Sequence, residues 1–80
     1  MATVHFGGSL TRYTGGVGSI SLDAPRVGEL LAAVTERYPD LADPLELMAV
    51  AVDGQVHAEA TYLKLSPDSD VHFVPRIAGG

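Results

Sequence analysis

The spacing of apolar positions along the chain changes twice. Near the start, Val4 and Phe6 alternate with Thr3 and His5, and Leu10 continues the apolar side. A period of two predicts a half-buried strand. Residues 14–19 read TGGVGS, and three glycines in six residues predict a loop or tight reversal. In the SISL that follows, Ile20 and Leu22 point one way. Two short strands across a glycine-rich connection predict a β-hairpin.

The period then lengthens. Val27, Leu30, Leu31, Val34 and Tyr38 form one stripe of an α-helix. Pro25 suits a first-turn position, where no intrahelical N–H is needed. Asp23 suits the positive end of the helix dipole. Pro39 ends the helix, because the residue before a proline is pushed out of the α region. Gly28, in the first turn, weakens the helix slightly.

Beyond Pro39 the period returns to two. DLADPLEL predicts a loop with a single helical turn, and MAVAV a third strand. Asp53-Gly54 is the signature of a two-residue type I′ turn, with QVHA as the return strand. Leu63 and Leu65 add to the core, and Pro67, Asp68 and Asp70 predict a turn. VHFVP is the last strand, with Val71 and Phe73 on one face and His72 and Val74 on the other. The order ββαββ predicts one α+β domain, with a mixed sheet of about four to five strands covered by one main helix. By analogy with the β-grasp arrangement the first and last strands are expected as central neighbours, since periodicity alone does not give strand order.

Composition narrows the function. The chain has 80 residues, 46% of them hydrophobic, enough for one small core without staples. With no cysteine it has neither disulfides nor thiolate metal ligands. Ten acidic against five basic residues, a net charge of −5, argue against nucleic acid and anionic membranes and favour docking to a basic protein surface. No apolar run approaches the roughly 20 residues of a membrane span. The start, MATVHFGG, has no signal-peptide pattern, so a cytoplasmic location is expected.

The side chains offer little catalysis. His5 and His72 fall on the non-core face of strands that a β-grasp fold would pair, yet a metal would need a third ligand and none stands out. His57 reads as a surface residue beside a turn. Glu29 and Glu36 belong on the solvated side of the helix. The TGGVG stretch precedes a strand and lacks the lysine of a phosphate-binding loop. No catalytic residue and no metal site are expected.

The chain ends VPRIAGG. A pair of glycines adds nothing to a core and loses the most backbone freedom on ordering. The pair suits a narrow passage that admits backbone and excludes side chains. Extended at about 3.3 Å per residue, the five residues from Arg76 reach roughly 16 Å.

Four stretches together resemble the small ubiquitin-like sulfur-carrier proteins of the MoaD/ThiS group: VGELLAAVTERYPDL, AVAVDGQV, SPDSDVHFVP and the terminal AGG. The likeness spans nearly the whole chain. It implies a domain over residues 1–75 and a flexible tail over 76–80. It also implies a non-enzymatic carrier whose Gly80 is adenylated by an E1-like activating enzyme using ATP, then converted to a thiocarboxylate. A biosynthetic enzyme would accept the sulfur. Arg76, Ile77, Ala78 and Gly79 would thread into the partner's site, and the carrier itself would bind no cofactor.

His5, His72 and Val74 form the expected docking surface. Val74 stands where many relatives carry a large aromatic, and Arg76 where they carry proline, which points to a changed partner set. The TRYTGG stretch resembles carriers feeding cysteine or secondary-metabolite pathways, and the small subunit of molybdopterin synthase is a further member type. The alternative expectation is a ubiquitin-like modifier joined to lysines through Gly80.

Overall fold

The first and last strands lie side by side in the middle of the sheet. In a computed structural model, which describes residues 1–57 and 60–75, β1 (Ala2–His5) and β5 (Asp70–Pro75) pair in parallel, with Val4 opposite Val71 and His5 opposite His72. β2 (Ser19–Leu22) adds antiparallel to β1, and β3 (Met48–Val52) antiparallel to β5. β4 (Gln55–His57) forms the far edge, giving the order β2-β1-β5-β3-β4. Parallel neighbours need a long crossover. Here it contains α1 (Val27–Arg37), a shorter α2 (Ala42–Glu46) and the β3–β4 hairpin. This is the ubiquitin-like β-grasp fold that the strand order predicts. Residues 58, 59 and 76–80 lie outside the described residues, and with them the expected tail.

One face of the sheet makes the core. A row across it runs Ile20, Val4, Val71 and Val52, all buried, and α1 lays Val27, Leu30 and Val34 in the same core. Leu41, fully buried, closes one end from the 3₁₀ turn Pro39–Leu41. Leu31 and Tyr38 are only partly buried, so the helix buries a narrower stripe than its apolar spacing predicts.

The helix start differs from the expectation. Pro25 and Asp23 precede the helix; Arg26 is the extended N-cap residue and supplies no side-chain cap. The first N–H groups are satisfied by a crossing segment instead: Val27 N–H donates to the Leu63 carbonyl at 2.9 Å and Gly28 N–H to the Thr61 carbonyl at 3.0 Å. Leu65 N–H returns a bond to the Pro25 carbonyl, and Arg26 and Lys64 form a single antiparallel bridge. Long-range partners thus replace the local cap that such orphan donors otherwise take.

Turns account for the rest. Asp53 and Gly54 have φ of 50° and 87°, the paired left-handed geometry of a type I′ turn. The β1–β2 connection is longer than a simple hairpin and includes a 3₁₀ turn at Thr11–Tyr13. In it the buried Thr14 hydroxyl donates to the Val17 carbonyl at 2.8 Å, with the Thr11 carbonyl at 3.2 Å. Thr14, Gly15 and Gly16 therefore have a structural use, since both glycines adopt positive φ. In the Ser66–Ser69 turn, the buried Ser69 hydroxyl oxygen accepts the Ser66 N–H at 3.0 Å. Asp70, expected in that turn, is the first residue of β5.

Candidate functional site

The face of the sheet turned away from α1 carries the expected docking residues. Strand alternation sets Thr3 and His5 of β1, and Asp70, His72 and Val74 of β5, on that face, because Val4, Val71 and Phe73 are committed to the core. The pairing register then draws a straight row across all five strands: Ser19, His5, His72, Ala51, Val56. Val74, half-buried, sits opposite Ala49 in the adjoining part of the face. Ala49 and Ala51 are themselves shielded, so small side chains leave a shallow floor between the histidines, Val74 and the exposed Val56.

The His5 and His72 rings stack with centroids 4.4 Å apart and planes 8° from parallel. Parallel pairing in register places them directly opposite each other. The Nε2 of His5 lies 2.9 Å from Oδ1 of Asp70. An ionised carboxylate only accepts, so Nε2 carries the hydrogen of that bond. Asp70 is held in turn by the β3–β4 turn: its N–H donates to Oδ1 of Asp53 at 2.9 Å, and its carbonyl accepts the Asp53 N–H at 2.9 Å. The chain Asp53, Asp70, His5, His72 fixes the orientation of the row.

Asp70 is the residue the sequence reading missed, having been assigned to a turn. Its separation of two from His72 carried the signal, since residues two apart in a strand share a face. Among the described residues no group of three or more histidine, cysteine, aspartate or glutamate side chains is placed to hold a metal ion. His57 is half-buried at the edge, opposite Val50 on the core side, and not fully on the surface as expected. Glu29 and Glu36 are exposed as expected. The remaining expected site residues, Arg76, Ile77, Ala78, Gly79 and Gly80, lie outside the described residues. No helix among the described residues is long and apolar enough to cross a membrane.

Neither a protein-family model nor a curated protein sequence matches the chain. Solved structures do. In the BexX/CysO complex of Amycolatopsis orientalis, one chain matches at a TM-score of 0.84 and 20% identity, with 100% of both chains covered. The small archaeal modifier protein 1 of Methanosarcina acetivorans matches at 0.82 and 18%, covering 99% of this chain and 95% of that one. In the complex of subunits 1 and 2 of the molybdopterin-converting factor of Helicobacter pylori, the match is 0.70 and 18%, covering 99% and 98%. These likenesses cover 99–100% of this chain, so they rest on the whole fold and not on one motif. In architecture, the chain is a ubiquitin-like β-grasp protein.

Proposed function

We propose that the protein is a sulfur carrier that works through a C-terminal Gly80. The observation that carries this reading is that the central strand of the sheet leads directly into the Gly-Gly sequence. β5 includes Pro75, and the next five residues read Arg-Ile-Ala-Gly-Gly. β5 is paired with β1 as far as His72 and with β3 as far as Pro75, so the strand that leads into this sequence is held in the sheet. A rigid base with a slender end suits delivery of one carbon atom into another protein's site. Two of the similar structures are complexes of two proteins, which supports a protein partner.

The chemistry belongs to that partner. A carboxylate is a poor electrophile, so an activating enzyme would first join the Gly80 carboxylate to the α-phosphate of ATP, releasing pyrophosphate. A sulfur nucleophile then attacks the acyl carbon, the bond to the AMP oxygen breaks, and AMP leaves. The product is a thiocarboxylate, which a biosynthetic enzyme consumes. The cysteine-free chain has no thiol of its own to attack the activated acyl group. His5, His72 and Val74 form the face that meets the partner, with Gly79, Ala78, Ile77 and Arg76 threading into its site. The acceptor belongs to a cysteine-type or secondary-metabolite pathway, or is the large subunit of a molybdopterin synthase.

The test uses the affinity of a thiocarboxylate for mercury. After incubation with ATP, an activating enzyme and sulfide, the chain ending at Gly80 should be retarded on an organomercury gel, and a chain lacking Gly80 should not. Retardation of the truncated chain would contradict the reading. A second reading, conjugation of Gly80 to lysines of other proteins, is favoured by the similarity to the archaeal modifier protein. It predicts higher-weight conjugates in place of the mercury-retarded band.

A further inference from the structure

At the end of the sheet marked by Pro75, an open cleft of about 660 Å³ lies between the β1–β2 connection and α2. Leu10 and Tyr13 line one side, Leu47 and Met48 the other, and Pro75 closes its edge. Leu47 is unusual for a large apolar side chain in being 74% exposed. Its backbone is tied down, because its N–H donates to the Pro44 carbonyl at 3.1 Å. Asp40 and Asp43 stand on the rim, and no described lysine or arginine lines the cleft. The histidine face does not include these residues.

We propose that this cleft is a second docking site, which receives an apolar side chain flanked by arginine or lysine on the protein that takes the tail. The apolar walls suit the first and the two carboxylates suit the second. Position supplies the link to the tail. Pro75 is both the edge of the cleft and the last residue before the terminal five, so a protein holding Gly80 stands within roughly 16 Å of it. The cleft rests on the carrier reading only in that a protein must stand at Gly80; its own chemistry involves no sulfur.

The test titrates the isotope-labelled full-length protein with an acetylated Arg-Leu-Arg peptide and, as control, its Glu-Leu-Glu counterpart, followed by NMR. The basic peptide should shift resonances of Leu10, Tyr13, Leu47 and Met48, and the acidic one should not. Asp40→Asn combined with Asp43→Asn should weaken the basic peptide about fivefold, as expected for two exposed ion pairs. Leu47→Ser should weaken it similarly, whereas Tyr62→Ser, remote from the cleft, should leave it unchanged.

Absence of shifts in the cleft, or equal shifts with both peptides, would overturn the proposal. So would Arg76→Glu with Ile77→Ser, without peptide, moving the cleft resonances as the peptide does, which would assign the cleft to the chain's own segment. A chain that binds the basic peptide and never forms a thiocarboxylate contradicts the carrier reading alone. A chain that forms it and ignores the peptide overturns the cleft alone.

Discussion

His5 and His72, on neighbouring parallel strands, stack their rings 4.4 Å apart directly opposite each other, in the middle of the sheet face that does not meet α1. Ala51 lies opposite His72 on the neighbouring strand, and Asp70 holds His5 in place. The stacked rings carry polar nitrogens at their edges, and amphipathic rings of this kind suit an interface. Its use can be measured separately from its stability. His72→Glu with Val74→Asp puts two further carboxylates on this face, beside Asp70. The expected result is a loss of about tenfold in kcat/KM for activation of Gly80, the size of one good interface contact. The unfolding midpoint should fall far less than for a core change, since His72 is exposed. Unchanged activation would remove this face from the docking surface.

Gly28 has a reason that helix propensity does not supply. A Cβ there would stand 2.9 Å from Cγ2 of Thr61 and 3.1 Å from its carbonyl oxygen, the same oxygen that accepts the Gly28 N–H. In an open helix, Gly→Ala gains about 1 kcal/mol. Here overpacking costs about 1–3 kcal/mol, so Gly28→Ala should destabilise in net. Thr61→Ser removes the methyl group and should recover part of the loss. Denaturant unfolding of both single variants and the double variant checks the coupling; additive losses would contradict the contact.

Along α1, two adjacent leucines should behave differently. Leu30 is fully buried whereas Leu31 only packs against the edge of the core. Leu30→Ala should cost about 3 kcal/mol or more through lost burial and a residual cavity. Leu31→Ala should cost about 1 kcal/mol, in keeping with partial burial. In a domain of this size the first loss lowers the thermal midpoint by on the order of 15 °C. Equal losses would mean the helix is rotated from its described face.

The β3–β4 turn links stability to the histidine row. Asp53 adopts φ of 50° and accepts the Asp70 N–H through Oδ1. Asp53→Ala gives up that bond and strains the left-handed backbone, together about 1–2 kcal/mol. Asp53→Asn keeps an acceptor and tolerates the same φ, so it should cost less than about 0.5 kcal/mol. Chemical unfolding distinguishes them. Equal losses would show that the carboxylate charge matters and not the turn geometry.

Strand alternation and the Asp53-Gly54 turn were legible in the sequence because each rests on neighbours in the chain. The pairing of His5 with His72 was legible only through analogy with the β-grasp arrangement, because periodicity does not say which strands are central. Residues 61–65 were not legible as the cap of α1. Val27 and Gly28 bond to Leu63 and Thr61, partners more than thirty positions away, and no local pattern encodes that contact. Asp70 was misread because Pro67-Asp68 is a turn signal and the strand begins two residues later. The cleft beside Pro75 was invisible for the same reason as the cap. Leu10, Leu47 and Pro75 are far apart in sequence, and Leu47 reads as one more apolar residue until its exposure is known.

The most direct measurement is the intact mass of the protein ending at Gly80, after incubation with ATP, an activating enzyme and a source of sulfide. The carrier account predicts a gain equal to replacing one oxygen by one sulfur, confined by fragmentation to Gly80 and absent when Gly80 is removed. A mass that stays unchanged with several activating enzymes, or a gain that survives removal of Gly80, would contradict it.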